Sequence, residues 1–295
     1  MKKVNLFVVG AMKAGTTAFT EMLAQHPDIY FSPVKEPHYF VKDLPQSMYS
    51  PSRFFSLEKY LDEKFPEPLH ITHIQTLDQY EKIFSKAPDN VKYRAEGSTG
   101  YLHAPESAKI IYDYNPNAKI IILTRDPLKR AYSHYQMNAG LGRETRSFEE
   151  AISQDIKDYQ AGKRDQWNYL GMSIYQENIQ RFLNIFGENV LVIDLRENKE
   201  NPTIFLDKIN RFLQIQTYDF NLERKNESRN IKNPKLQNFL FQSGVRDIAR
   251  QILPNSLRQK LFEKLSTSKQ TLEISEKTQN EFNKIIQSYP KESSD

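Results

Sequence analysis

Gly10-Ala-Met-Lys-Ala-Gly-Thr-Thr17 is the segment of this chain whose residue types and spacing most directly suggest chemistry. Gly10 and Gly15 stand in G-x-x-x-x-G spacing, with which a loop turns backbone amides at a helix N-terminus onto phosphate oxygens. A nucleoside-triphosphate loop also needs a lysine directly after the second glycine, to reach the β and γ phosphates. That place is held by Thr16, and the loop's lysine is Lys13. Its ammonium is expected over the rim of the anion, which suits a ligand with one phosphate and one transferable group and disfavours a mononucleotide kinase.

Such a loop must lie between a strand that ends at it and a helix that starts from it. Val4 to Val9 is a short apolar run, and the stretch after the loop sets Ala18, Phe19, Met22 and Leu23 on one helical face before His26-Pro27. Similar runs recur at Ile29 to Ser32, Lys92 to Gly97, Lys119 to Thr124 and Asn189 to Leu195, separated by segments of helical period. Buried parallel strands alternating with helices follow from that pattern. The expected fold is α/β, a P-loop-like three-layer fold with a central parallel sheet flanked by helices. Thr76-x-x-Gln79 and Ser147-x-x-Glu150 are capping boxes expected to open helices towards Ser85 and Tyr159, and Asp126-Pro127 reads as an N-cap with proline at the first helical position. One domain is expected over 1–295, with an inserted segment about 41–75 carrying one helix, and a helical C-terminal region about 235–290. Within that region Leu257 to Leu265 and Leu272 to Tyr289 have helical spacing. Asn221 to Pro234, nearly free of aliphatics, is expected to be a loop that orders on ligand binding, and Lys291 to Asp295 a frayed tail.

Lys and Arg number 41 against 37 Asp and Glu. The resulting +4 is too slight and too evenly spread for a nucleic-acid binder, whereas a small anion needs only a local cluster. The absence of cysteine excludes disulfides, thiolate catalysis and cysteine-ligated zinc. His70 and His73 have no carboxylate at a matching offset, so no metal is expected. Met1-Lys-Lys and the run after it imitate a signal peptide, but Asn5 interrupts the run, Lys13 closes it and no small-x-small cleavage pattern follows. No stretch reaches the roughly eighteen apolar residues of a membrane span, and a cytoplasmic protein is expected.

Lys13-Ala-Gly-Thr-Thr17 resembles the 5′-phosphosulfate loop of sulfotransferases that use 3′-phosphoadenosine 5′-phosphosulfate (PAPS). Ile120-Ile-Ile-Leu-Thr-Arg-Asp-Pro-Leu-Lys-Arg-Ala-Tyr-Ser-His-Tyr135 is similar to that family's 3′-phosphate site, an arginine ending a central strand with a serine eight residues on. Ser32-Pro-Val-Lys-Glu-Pro-His-Tyr-Phe40 looks like the Lys-Glu-x-His-Phe-Phe segment of the branch containing heparan-sulfate sulfotransferases and many bacterial enzymes. The resemblance implies PAPS as co-substrate, 3′-phosphoadenosine 5′-phosphate (PAP) as product, and no metal. It implies Lys13, Ala14, Gly15, Thr16 and Thr17 around the phosphosulfate, and Arg125 with Ser133 at the 3′-phosphate. Tyr175 would lie near the donor, and Ser228 and Arg229 in the polar loop are further donor contacts. Glu36 is the implied general base, with His38 in reserve and His103 and His134 as weaker alternatives. Lys35 and His38 would flank the reacting groups.

The resemblance is specific over about residues 4–40 and 90–140 and thins towards Phe212. Heparan-modifying relatives have Lys-Thr-Pro or similar after the middle strand, where this chain has Glu96-Gly-Ser-Thr-Gly-Tyr101; the missing lysine counts against a sulfated polysaccharide as acceptor. Leu195-Arg-Glu-Asn198 departs from a common acidic pair and receives no role. Tyr39, Phe40, Tyr49, Phe54, Phe55, Tyr101 and His103 suggest an aromatic-lined pocket or, equally, ordinary core; Tyr101 and His103 are the acceptor-binding candidates among them. A compact secondary metabolite is expected as acceptor, because no broad basic groove is evident. A saxitoxin-type guanidinium alkaloid is one candidate, given a Lys-, Asn- and Ile-rich composition that suits a bacterial, cyanobacterial-like source. A carbohydrate or lipid is the alternative, and O- and N-sulfation both stay open. Two rival readings are a P-loop small-molecule kinase, which needs a lysine directly after Gly15, and a non-catalytic nucleotide-binding protein of the same fold, which would have lost Lys13 or Glu36.

Overall fold

The computed structural model describes residues 2–218 and 220, together with 230–231, 236, 238–240, 243, 257, 266–267 and 272–289. The chain divides into two compact units, the first comprising 1–50, 56–125 and 175–225, the second 51–55, 126–174 and 226–295.

In the first unit the strands are β1 (Leu6–Gly10), β2 (Ile29–Phe31), β3 (Val34–Lys35), β4 (Leu69–His70), β5 (Tyr93–Gly97), β6 (Lys119–Thr124) and β7 (Val190–Asp194). Five of them form one parallel sheet in the order β2-β5-β1-β6-β7, while β3 and β4 pair separately, also in parallel. The helices are α1 (Thr16–Leu23), α2 (Leu57–Lys59), α3 (Leu77–Lys82), α4 (Ser107–Tyr114) and, beyond α5 (Pro127–Gly140) and α6 (Phe148–Gln160) of the second unit, α7 (Gln176–Phe186), α8 (Leu195–Glu200) and α9 (Pro202–Leu213). This is the α/β three-layer arrangement, a central parallel sheet flanked by helices. Leu6 to Val9 and Ile120 to Leu123 are fully buried, which is why both strands read as unbroken apolar runs rather than alternating ones. Each such side chain contributes about 1.5–3 kcal/mol through burial.

The topology fixes where a ligand can sit. From β1 the chain passes through α1 to β2 on one side, and from β5 through α4 to β6 on the other, so the carboxyl end of β1 is a switch point between its neighbours β5 and β6. The β1–β6 register is irregular between Val8 and Gly10, and Ala11 N donates to Leu123 O at 2.6 Å, which turns the chain out of the sheet into the glycine loop.

The second unit packs α5, α6 and α10 (Glu276–Gln287) around Leu128, Phe148, Ile152, Ile156 and Phe282. Asp126 caps α5 by accepting from Lys129 N at 2.8 Å, and both capping boxes, at Thr76 and Ser147, are formed. Helical spacing from Leu272 overshoots: α10 begins at Glu276, because Ser275 is its cap, accepting from Thr278 N while Glu149 accepts from both hydroxyls. The helix expected in the inserted segment is α2, and it widens at once into a π-turn over Tyr60–Lys64. Asn230–Ile231 pairs antiparallel with Ser266–Thr267. Most of Asn221 to Pro234 and of Leu257 to Leu265, and the tail Lys291 to Asp295, lie outside the described residues. No described helix is long and apolar enough to cross a membrane.

Candidate active site

The loop after β1 is shaped by its backbone. Gly15, at φ 94°, is the N-cap of α1 and brings no side chain to that cap; the first turn of α1 holds no acidic residue, so no carboxylate of that turn offsets the positive end of the helix dipole. Lys13 itself is left-handed at φ 70°, a conformation costing about 1–3 kcal/mol for a non-glycine residue. Its carbonyl offsets that cost by accepting from Arg125 Nη1 at 2.8 Å, a bond across 112 residues. Arg125 directly follows β6, whose register with β1 brings the two motifs together. Tyr175, buried at the N-terminus of α7, donates its hydroxyl to Arg125 O and so fixes the arginine's backbone. Gly10 has no room for a side chain: an added Cβ would lie 2.8 Å from Leu102 Cβ.

A second loop follows β3. Glu36 (φ 49°) and His38 (φ 50°) are both left-handed, on either side of Pro37. The segment after β4 holds this turn, Thr72 N donating to Glu36 O at 3.2 Å and Ile74 N to Pro37 O at 2.9 Å. His38 is fully buried. Its Nδ1 faces Thr72 O at 3.3 Å, and since a carbonyl only accepts, Nδ1 carries hydrogen and Nε2 is turned to Glu36 Oε2, 3.4 Å away. Thr99 donates its hydroxyl to the same carboxylate oxygen at 2.8 Å. Burial alone would push the Glu36 carboxyl up. The His38 imidazole 3.4 Å away, the charge of Lys35 and the Thr99 hydroxyl outweigh it and hold Glu36 below the usual carboxylate range. The result is an ionised carboxylate with restricted access to water, the protonation state that a general base starts from.

Beneath this turn sits a second carboxylate. Glu96, aligned with Phe7 in the sheet, is fully buried and accepts from Tyr80 OH (2.6 Å), Tyr101 OH (2.8 Å) and Ser98 Oγ (2.7 Å). Burial raises its pKa despite these three donors. Ser98 Oγ in turn accepts from His38 N at 3.1 Å, so Glu96 is tied to the Glu36 turn through one hydroxyl. Gly100 closes against the imidazole, since a Cβ there would be 2.9 Å from His38 Cδ2.

These supports, Glu96, Ser98, Thr99, Thr72 and Gly100, carry no motif of their own. The one sequence signal was an acidic residue within a short strand, Glu96 in Tyr93-Arg-Ala-Glu-Gly97.

The other expected site residues fall as follows. Thr16 is buried and Thr17 half-buried in the first turn of α1. Lys35 reaches Thr17 rather than the Glu36 side of the turn. Tyr101 lies in the core, in edge contact with Phe40 and with its hydroxyl on Glu96. His103 is fully buried, its Nδ1 3.3 Å from Asn178 Nδ2. Among the other aromatics, Tyr39 and Phe40 pack on Tyr80, whereas Phe54 is 58% exposed. In the second unit, Ser133 is buried on α5 and His134 packs edge-on against Tyr169. Ser228 and Arg229 lie outside the described residues.

Comparison with known proteins bears on the same elements. The family model described as "Sulfotransferase family" matches residues 5–219. Carbohydrate sulfotransferase 15 of Mus musculus is 22% identical over 267 residues, covering 78% of this chain and 46% of that protein. The bifunctional heparan sulfate N-deacetylase/N-sulfotransferase 4 of Mus musculus is 28% identical over 230 residues, covering 72% and 22%. The chain thus spans less than half the length of these curated relatives. Among solved structures, a sulfotransferase from Alicyclobacillus acidocaldarius matches with a TM-score of 0.60 at 28% identity, over 88% of this chain and 100% of that one.

Proposed function

The chain belongs to the sulfotransferase family, and from that premise we propose that it transfers a sulfuryl group from PAPS to a hydroxyl or nitrogen of an acceptor, leaving PAP. The observation that carries the proposal is the bond from Arg125 to the carbonyl of Lys13. It joins a loop fit for a 5′-phosphosulfate to a guanidinium fit for a 3′-phosphate. A side-chain-free, left-handed cap at Gly15 and a first turn without acidic residues fit an anion at α1.

PAPS supplies a sulfuryl group on an activated phosphoanhydride oxygen. The amides of Gly15 to Thr17 and the hydroxyls of Thr16 and Thr17 hold the 5′-phosphate, while Ala14 N closes the loop by donating to Ala11 O at 3.0 Å. Lys13 stabilises the charge that develops on the bridging oxygen as the sulfur–oxygen bond breaks. Glu36 takes the proton released as the acceptor atom bonds to sulfur, and His38 and Thr99 keep its carboxylate ionised and aimed. Arg125 takes the 3′-phosphate; Ser133 is assigned to it by its spacing from Arg125, and Ser228 and Arg229 are further donor contacts by resemblance. Tyr175 acts through Arg125, and Tyr101 and His103 support the site from the core.

For the acceptor, a small metabolite is our preference, an alkaloid of saxitoxin type included. A carbohydrate hydroxyl is the second reading, supported by the names of two relatives, carbohydrate sulfotransferase 15 and heparan sulfate N-deacetylase/N-sulfotransferase 4. Incubation with 35S-labelled PAPS and a panel of alkaloids, phenols, amines, mono- and oligosaccharides and heparosan tests both. Label should move to a member of the small-molecule set with equimolar release of PAP. Transfer to the glycans alone would overturn the small-molecule reading, and transfer of phosphate from ATP instead would overturn the reaction class.

A further inference from the structure

By resemblance, Lys35 was expected to flank the reacting groups on the acceptor side. Its ammonium reaches the donor loop. Nζ donates to Thr17 Oγ1 at 2.5 Å, in the first turn of α1, and lies 3.3 Å from His70 Nε2. We propose that Lys35 is a donor-binding residue, a second cation on the 5′-phosphosulfate beside Lys13; this rests on the reading of the loop as the PAPS site.

The backbone explains how a residue next to the base serves the other substrate. Lys35 is the last residue of β3, in register with His70 of β4, so the two side chains stand side by side and His70 props the ammonium from behind. Glu36, the next residue, turns left-handed, which sends its carboxylate towards Thr99 and His38 while Lys35 extends to α1.

The hydrogen inventory points the same way. An ammonium has three hydrogens; Thr17 Oγ1 and His70 Nε2 account for two, leaving one for a ligand. Thr17 uses an oxygen lone pair on Nζ, so its own hydrogen is directed away from Lys35 and towards an anion at the helix end. Any anion oxygen bonded to Thr17 Oγ1 would lie within about 5 Å of Nζ. Burial lowers the Lys35 pKa, although Glu36 and Glu21 pull the other way. A phosphate in this place would offset that cost of burial.

Calorimetric titration of the full chain with PAP and with adenosine 5′-phosphate, for wild type, Lys35→Met, Lys35→Arg and Arg125→Ala, tests the assignment without requiring the acceptor. Lys35→Met should lose about tenfold to hundredfold in affinity for both nucleotides equally, leaving their ratio unchanged, as expected for one lost charged contact on the 5′ side. Arg125→Ala should lower affinity for PAP more than for adenosine 5′-phosphate and so shrink that ratio, the smaller loss reflecting the released Lys13 carbonyl. Lys35→Arg should recover part of the loss, which separates charge from a folding defect. If wild type and Lys35→Met bind both nucleotides within twofold of one another, the Lys35 assignment falls and the donor reading stands. If wild type does not bind PAP, both fall.

Discussion

The loops 10–17 and 35–40 are joined by the Lys35–Thr17 bond, yet they are built by opposite means. The first is backbone work: glycine at 10 and 15, a left-handed Lys13, and amides left open at the start of α1. The second is side-chain work, two left-handed non-glycine residues pinned by Thr72, Ser98 and Thr99, with Glu96 below them. An anion of fixed shape is served by backbone amides that hardly depend on neighbouring side chains. A base needs a tuned carboxylate, and tuning takes buried partners from several strands.

That contrast sets the expected size of each perturbation. The largest effects should come from the reacting groups, Glu36→Gln and Lys13→Ala each lowering kcat by about 10²–10⁴-fold in single-turnover assays, with Glu36→Gln keeping its affinity for PAP. A Glu36→Gln enzyme with full activity would move the base elsewhere. Next comes the support of the second loop. Glu96→Leu strands three buried hydroxyls and should cost about 3 kcal/mol or more in urea unfolding, whereas Glu96→Gln keeps an acceptor and should cost less. Gly100→Ala should push the His38 ring aside and lower kcat by about tenfold, with PAP affinity unchanged, because the donor loop does not lean on that contact. Equal loss of PAP affinity would show that the donor loop also leans on the Gly100–His38 contact.

The smallest effect is in pH. Glu36 is held below the usual carboxylate range, so its contribution to stability is present above its unfolded pKa and lost only as pH falls through its lower folded value. Glu96 is shifted the other way; its contribution is fully present below the unfolded pKa and lost as pH rises through the raised folded value. Relative to Glu96→Gln, the wild type should therefore gain Tm as pH is lowered from neutral towards about 4, while kcat stays flat until Glu36 protonates. A wild type that loses Tm against Glu96→Gln on acidification would reverse the assignment.

Legibility in the sequence follows the same division. β1, its glycine loop and α1 declare themselves within twenty or so adjacent residues, as do the caps at Thr76, Asp126 and Ser147, because the physics of a strand, a cap or a helix face is local. Glu36 was found by resemblance, but its surroundings were not. β3 and β4 are two residues each and separated by more than thirty, too short for any periodicity, and Thr72 and Ser98 matter only through that pairing and the β5 register. The same holds for Tyr101. An aromatic near a base suggests a substrate wall, and only the register showed its hydroxyl committed to Glu96. Leu195-Arg-Glu-Asn198 was given no role and opens α8, where Asp194 and Glu197 form a capping box.

A donor site for a 3′,5′-bisphosphate built on Lys13 and Arg125 can be probed by titrating the chain with PAP, adenosine 5′-phosphate and ATP under one set of conditions. One PAP should bind per chain, at least about tenfold more tightly than either of the others, since only PAP offers a 3′-phosphate to Arg125. No binding of PAP, or tighter binding of ATP, would rule such a site out.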